Sequence, residues 1–109
     1  MPSVNIYTDR NRVSSLESIL PELREVVARE LSCGDRVLVP DEVSLRLIVP
    51  DASLQIANTE LEIKAHSYGE RVKKQDEICR SIKGYVEKAC PQAGSTYVWL
   101  QLSELGHSA

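Results

Sequence analysis

The chain opens Met-Pro-Ser-Val-Asn-Ile-Tyr, and Pro2 is the residue whose type and position suggest chemistry. A proline directly after the start methionine is either a stiff residue at a strand edge or, once Met1 is removed, an exposed secondary amine. An amino-terminal amine is a fitting proton carrier near neutral pH, because ordinary α-amino groups titrate at about 7.7–8.0. Burial and nearby positive charge both disfavour its protonated form and lower that value further. Such a base can take a proton from a hydroxyl or an activated carbon and return it to a neighbouring carbon. The other reactive side chains form no comparable pattern. Cys33, Cys79 and Cys90 are odd in number, lack close metal-type spacing and read as packing residues. His66 stands alone on the polar side of an alternating segment, where hydrogen bonding to a neighbour is the ordinary role. Neither a metal nor a cofactor is expected.

The amine needs a scaffold, and periodicity outlines one. Val4 and Ile6 alternate with Asn5 and Tyr7, the period of two of a strand. Leu16, Ile19, Leu20, Leu23, Val26, Val27 and Leu31 recur at three-or-four spacing and make one stripe of an amphipathic helix. Pro21 lacks an N–H and crowds the preceding turn, so the main helix is expected to begin between Ser18 and Pro21, after an irregular turn. Val43, Leu45, Leu47 and Val49 then alternate with Ser44, Arg46 and Ile48 between Pro40 and Pro50, which predicts a second strand. Leu61, Ile63 and Ala65 alternate with Glu60, Glu62, Lys64 and His66 as a third. A second helix carries Ile78, Cys79, Ile82, Val86 and Ala89 inward and ends at Pro91 and Gly94. The last strand sets Val98, Leu100 and Leu102 against Tyr97, Trp99, Gln101 and Ser103.

Strand, helix, strand, strand, helix, strand makes two right-handed βαβ units. The expected fold is α/β: a four-stranded mixed sheet with two helices on one face, as a single domain over residues 1–109. The other face would carry Asn5, Tyr7, Ser44, Arg46, Glu60, Glu62, Lys64, His66, Tyr97 and Trp99. That mixture is too aromatic for bare solvent and too charged for a dry core. A self-associating or ligand-lined surface accounts for it, with Tyr97 and Trp99 as an interface pair.

Composition narrows the partners. At a net charge of −3, with both signs scattered, the chain has no electrostatic footprint for nucleic acid or for an anionic membrane. No apolar run is long enough for a membrane span, and the cysteine usage fits a reducing cytoplasm. The same element order also occurs in ferredoxin-like sandwiches. The RNA-binding version needs stacking aromatics, whereas this chain has no Phe. The metal-carrying version needs paired cysteines, so a small-ligand regulatory module is what remains of that alternative.

Pro2 followed at once by a strand, then Thr8-Asp9-Arg10-Asn11-Arg12, then Leu45-Arg46-Leu47-Ile48-Val49 on the second strand, resembles the tautomerase superfamily. The resemblance extends over the whole chain as a doubled βαβ pattern. It implies that Pro2 is the catalytic acid and base and that the protein is a homotrimer. The implied reaction is a tautomerisation, moving a proton in a small carboxylated enol or 2-hydroxydienoate. Arg12 stands at the distance from Pro2 of a substrate-binding arginine in short family members, and Arg46 looks like their second-strand arginine. Arg71 looks like the arginine that opens the second helix in the hydroxymuconate isomerases. A planar guanidinium suits the role, since it holds a carboxylate by two hydrogen bonds and stabilises an adjacent enolate oxygen. Each arginine also has an ordinary reading. Arg46 would pair with Glu60 or Glu62 across the sheet, while Arg10, Arg12 and Arg71 would be solvated. A non-catalytic trimeric relative of the same fold is the alternative if Met1 stays in place.

Overall fold

The computed structural model describes residues 2–104. Strand β1 (Ser3–Tyr7) is followed by a 3-10 turn and the short helix α1 (Val13–Glu17), then by α2 (Leu20–Leu31) and β2 (Ser44–Ile48). The second half repeats the plan with β3 (Thr59–His66), α3 (Gly69–Lys73), α4 (Gln75–Ala89) and β4 (Thr96–Ser103). The irregular turn expected ahead of the first long helix is α1, and Pro21 sits in the first turn of α2, where its missing N–H has no intrahelical partner to lose.

The sheet order is β2-β1-β3-β4. β1 is parallel to β2 and β3 is parallel to β4, while β1 and β3 run antiparallel in the middle. Each βαβ unit therefore keeps its two strands adjacent. The ferredoxin-like alternative fails on this point, because its split βαβ units place a third strand between the two. The antiparallel pairing is centred on Asn5 opposite Glu62, which relates the two halves by an approximate twofold axis.

The helices cover one face. Val4, Ile6, Leu61, Ile63 and Ala65 point from the central strands into a core closed by Leu16, Leu23, Val27 and Leu31 of the first half and Ile78, Ile82 and Val86 of α4. Burying each of the larger aliphatic side chains contributes roughly 1.5–3 kcal/mol. Two residues expected on the inner face of the second helix are placed differently. Ala89 is exposed and Cys79 only half-buried, while Tyr85 and Cys90 pack against the core. The stripe of α4 thus shifts toward Tyr85, whose ring spans the gap beside α2. Of the cysteines read as packing residues, Cys90 is buried and Cys33 and Cys79 are half-buried.

On the opposite face the register sets Arg46 beside Asn5, Asn5 beside Glu62, and Glu62 beside Trp99. The mixed polar and aromatic surface is therefore continuous. Arg46 does not pair with Glu60 or Glu62, since β1 lies between their strands. Instead Asn5 Nδ2 donates to Glu62 Oε1 at 3.1 Å, and Glu60 Oε2 accepts the Ile56 and Ala57 amides. Tyr97 and Trp99 pack ring to ring, 5.5 Å between centroids.

Candidate active site

Pro2 is buried at the start of β1, with its carbonyl accepting the Ser44 amide at 3.1 Å. That bond continues the β1–β2 ladder to the last residue before the strand and fixes Pro2 against the sheet. Beside it lies a cavity of about 420 Å³ lined by Pro2, Arg36, Glu42, His66, Tyr68 and Arg71, among others. Met1, whose removal the amine reading requires, lies outside the described residues.

The topology decides which arginine reaches Pro2. β1 runs away from Pro2, so Arg12, just past its far end, is at the opposite end of the sheet. β3 runs back antiparallel, so the residues that follow it arrive beside Pro2. Arg71, in the first turn of α3, is 3% exposed. Its Nε donates to the Leu31 carbonyl at 2.8 Å and its Nη1 to the His66 carbonyl at 2.9 Å. Its guanidinium carbon sits 4.8 Å from the centre of the Tyr68 ring. Among the described residues no carboxylate lies within ion-pairing distance of it, and its Nη2 makes no hydrogen bond. A cation removed from water without a counter-charge is costly. An anion entering the cavity would supply that charge.

Of the three candidate arginines, only Arg71 shares the cavity with Pro2 within one chain. Arg12 is engaged at the other end, with Nε 2.9 Å from Asp9 Oδ2 and Nη1 2.8 Å from the Gln92 carbonyl. Arg46 is exposed in the middle of β2. Sequence reasoning missed three members of the site. Tyr68 carries both Arg71 and Arg36 on its ring, with Arg36 at 4.7 Å, and His66 meets the same ring edge-on at 4.7 Å. Arg36 comes from the loop after α2, held by Ser32, whose Oγ donates to the Ala28 carbonyl and accepts the Leu38 amide. Glu42 closes the 3-10 turn Pro40–Glu42 just before β2. The available signals were local: Tyr68 stands three residues before Arg71, the spacing of one helical turn, and Gly34 and Pro40 mark the loop that returns toward β2.

The Cys79 thiol is pushed up by burial and by Asp76, with Arg80 opposing, which disfavours the thiolate that cysteine chemistry needs. Among the described residues no three His, Cys, Asp or Glu side chains gather to hold a metal ion.

Solved structures share this fold, a four-stranded sheet of two adjacent βαβ units covered by helices. The chain superimposes on a macrophage migration inhibitory factor-like protein from Entamoeba histolytica with a TM-score of 0.63 at 12% identity, covering 98% of this chain and 95% of that one. A fused 4-OT that forms an asymmetric trimer matches with a TM-score of 0.70 at 10% identity, over 97% and 92% of the two chains. A 5-carboxymethyl-2-hydroxymuconate isomerase from Deinococcus radiodurans R1 matches with a TM-score of 0.61 at 13% identity, over 96% and 83%. No family model matches the sequence, and no curated protein does either. Among the described residues, no helix is long and apolar enough to cross a membrane.

Proposed function

We propose that the protein is a keto–enol tautomerase acting on a small carboxylated enol or 2-hydroxydienoate in the cytoplasm, with the amine of Pro2 as its acid and base once Met1 is removed. One observation carries the reading: a buried arginine with no carboxylate partner among the described residues shares a cavity with Pro2. Arg71 would hold the substrate carboxylate, and its fixed guanidinium would stabilise the enolate oxygen next to it. The same positive charge, together with burial, would keep the Pro2 amine largely unprotonated near neutral pH. A one-unit depression corresponds to about 1.4 kcal/mol, a small demand on a partly closed cavity.

A homotrimer belongs to the same reading. The open sheet face, with Tyr7, Arg46, Glu62, Tyr97 and Trp99, would be covered by neighbouring copies, which would also bring their own Arg12 or Arg46 within reach of the cavity. Solved structures of the same fold that are trimers support this. The test is ketonisation of phenylenolpyruvate by the wild type and by Pro2→Ala. The variant should fold normally and lose most of the rate, retaining the residue that a primary amine allows. Equal rates across the pH range would rule the terminal amine out as the base.

A further inference from the structure

Ketonisation of an enol moves two protons: carbon gains one, and the hydroxyl oxygen gives one up. The reading above gives both transfers to Pro2, and the cavity also contains a carboxylate, Glu42, beside it. Glu42 Oε1 accepts the Val39 amide at 3.1 Å. Its other oxygen, Oε2, makes no hydrogen bond among the described residues and is not wholly buried. One carboxylate oxygen is thus used to fix the side chain and the other is free of partners, on a residue that lines the cavity shared by Pro2 and Arg71.

The backbone around Glu42 is held on both sides. Arg24 donates from Nε to the Val43 carbonyl at 2.8 Å and from Nη2 to the Asp41 carbonyl at 3.2 Å. The Glu42 amide bonds back to Val39, and the next amide but one, of Ser44, bonds to Pro2 itself. A carboxylate two residues from the amide that anchors Pro2 cannot drift independently of it.

We infer that Glu42 is a second proton-transfer group of this site, accepting the enol hydroxyl proton through Oε2 while Pro2 protonates carbon. This rests on the tautomerase reading. In the step the O–H bond breaks and its electron pair closes the C=O bond. The enol C=C pair takes the proton from Pro2 in its ammonium form, the minor form near neutral pH, leaving neutral Pro2 and a protonated Glu42. Water then returns the Glu42 proton to Pro2. Asp35, Arg36, His66, Tyr68 and Arg71 are the other titratable or charged groups that line the space. Arg71 is bound to carbonyls, Arg36 and Tyr68 to each other, and His66 to Tyr68.

Two reactions separate this role from a structural one. Phenylenolpyruvate ketonisation requires loss of the hydroxyl proton. Deuterium uptake at C3 of 2-oxobutyrate in D2O, followed by NMR, passes through an enolate whose oxygen never has to be protonated. Glu42→Gln keeps an acceptor for the Val39 amide but cannot take up a proton. It should slow ketonisation at least about tenfold, within the range of general acid–base contributions, and leave deuterium uptake within about twofold. Glu42→Ala should match Glu42→Gln in ketonisation and melt at a lower temperature, because it leaves the Val39 amide without its acceptor. Equal slowing of both reactions by Glu42→Gln, no slowing of ketonisation, or a wild type inactive in both would overturn the inference. Pro2→Ala serves as the separate control, because it should abolish both reactions. If it leaves both intact the amine reading fails, while the split produced by Glu42→Gln still reports on Glu42.

Discussion

Arg12 and Arg71 occupy corresponding positions in the two halves, and among the described residues only Arg12 has a carboxylate partner. Each guanidinium lies near the start of one half's helical segment and donates to a carbonyl of the other half: Arg71 to Leu31, the last residue of α2, and Arg12 to Gln92, in the 3-10 turn that follows α4. Both cations therefore clasp the halves together, and at Arg71 the dipole of α2 also favours positive charge. Asp9, 2.9 Å from Arg12, supplies that guanidinium with a counter-charge, whereas the carboxylates that line the cavity with Arg71, Asp35 and Glu42, are not within ion-pairing distance of it.

The two arginines should respond differently to removal. Arg71→Ala should lower kcat/KM by roughly tenfold to a hundredfold, the equivalent of about 1.5–3 kcal/mol for a charged hydrogen bond. Arg12→Ala should cost about 1–2 kcal/mol of folding stability, because it releases the Gln92 carbonyl and unpairs Asp9. Urea denaturation beside steady-state kinetics reads both. Comparable kinetic losses would assign Arg12 a site role through a neighbouring copy.

Gly94 should be intolerant of a side chain. Its φ is +73°, and a Cβ there would stand 2.6 Å from Asn58 Oδ1 and 2.9 Å from Arg12 Nη1. Asn58 is itself held by Ser95, so the clash cannot be relieved by moving one flexible end. Gly94→Ala should lose more than about 1 kcal/mol in urea titration. A neutral result would mean that the turn after α4 re-forms around the methyl group.

Alkaline pH should weaken the fold through Tyr85. Burial, then the hydrogen bond and charge of Glu22, push its phenol from 10.0 up to about 12. The folded value lies above the unfolded one, so the contribution is complete below pH 10 and is lost as pH rises toward 12. An ultraviolet titration should show one of the four tyrosines ionising after the rest. Tyr85→Phe should remove that last step and flatten the fall in stability over the same window.

Intact mass and light scattering test the maturation and assembly readings together. Protein made in a normal cytoplasm should lack Met1 and should scatter as three copies of the 12.2 kDa chain. Trp99→Glu, which sets a charge against Glu62 on the shared face, should shift the population toward monomer. A wild type that is strictly monomeric at micromolar concentration would remove the trimer.

Legibility followed the range of the interaction. The order of strands and helices was readable from Val4 and Ile6, from the Leu16-to-Leu31 stripe and from Leu61 to Ala65, because burial repeats at short spacing. The choice among Arg12, Arg46 and Arg71 was not, since it depends on β3 running antiparallel to β1, a fact recorded in no local pattern. Ala89 and Tyr85 were confused for a related reason: a helical stripe leaves about one residue of rotational freedom, and the neighbouring helix decides it. Tyr68 follows β3, while Arg36 and Glu42 come from the connection between α2 and β2, and the two segments meet only in the folded chain.

The burial of Pro2 sets an order of events during synthesis. Methionine can be removed from Pro2 only while the terminus is accessible, and the strands that cover it, β2 and β3, are made some forty and sixty residues later. At bacterial or eukaryotic elongation rates that interval is on the order of seconds. The ribosome thus leaves a window in which the terminus can be processed before the sheet encloses Pro2. Under the proposed mechanism, chains with and without Met1 would share one fold and differ in activity by a single residue.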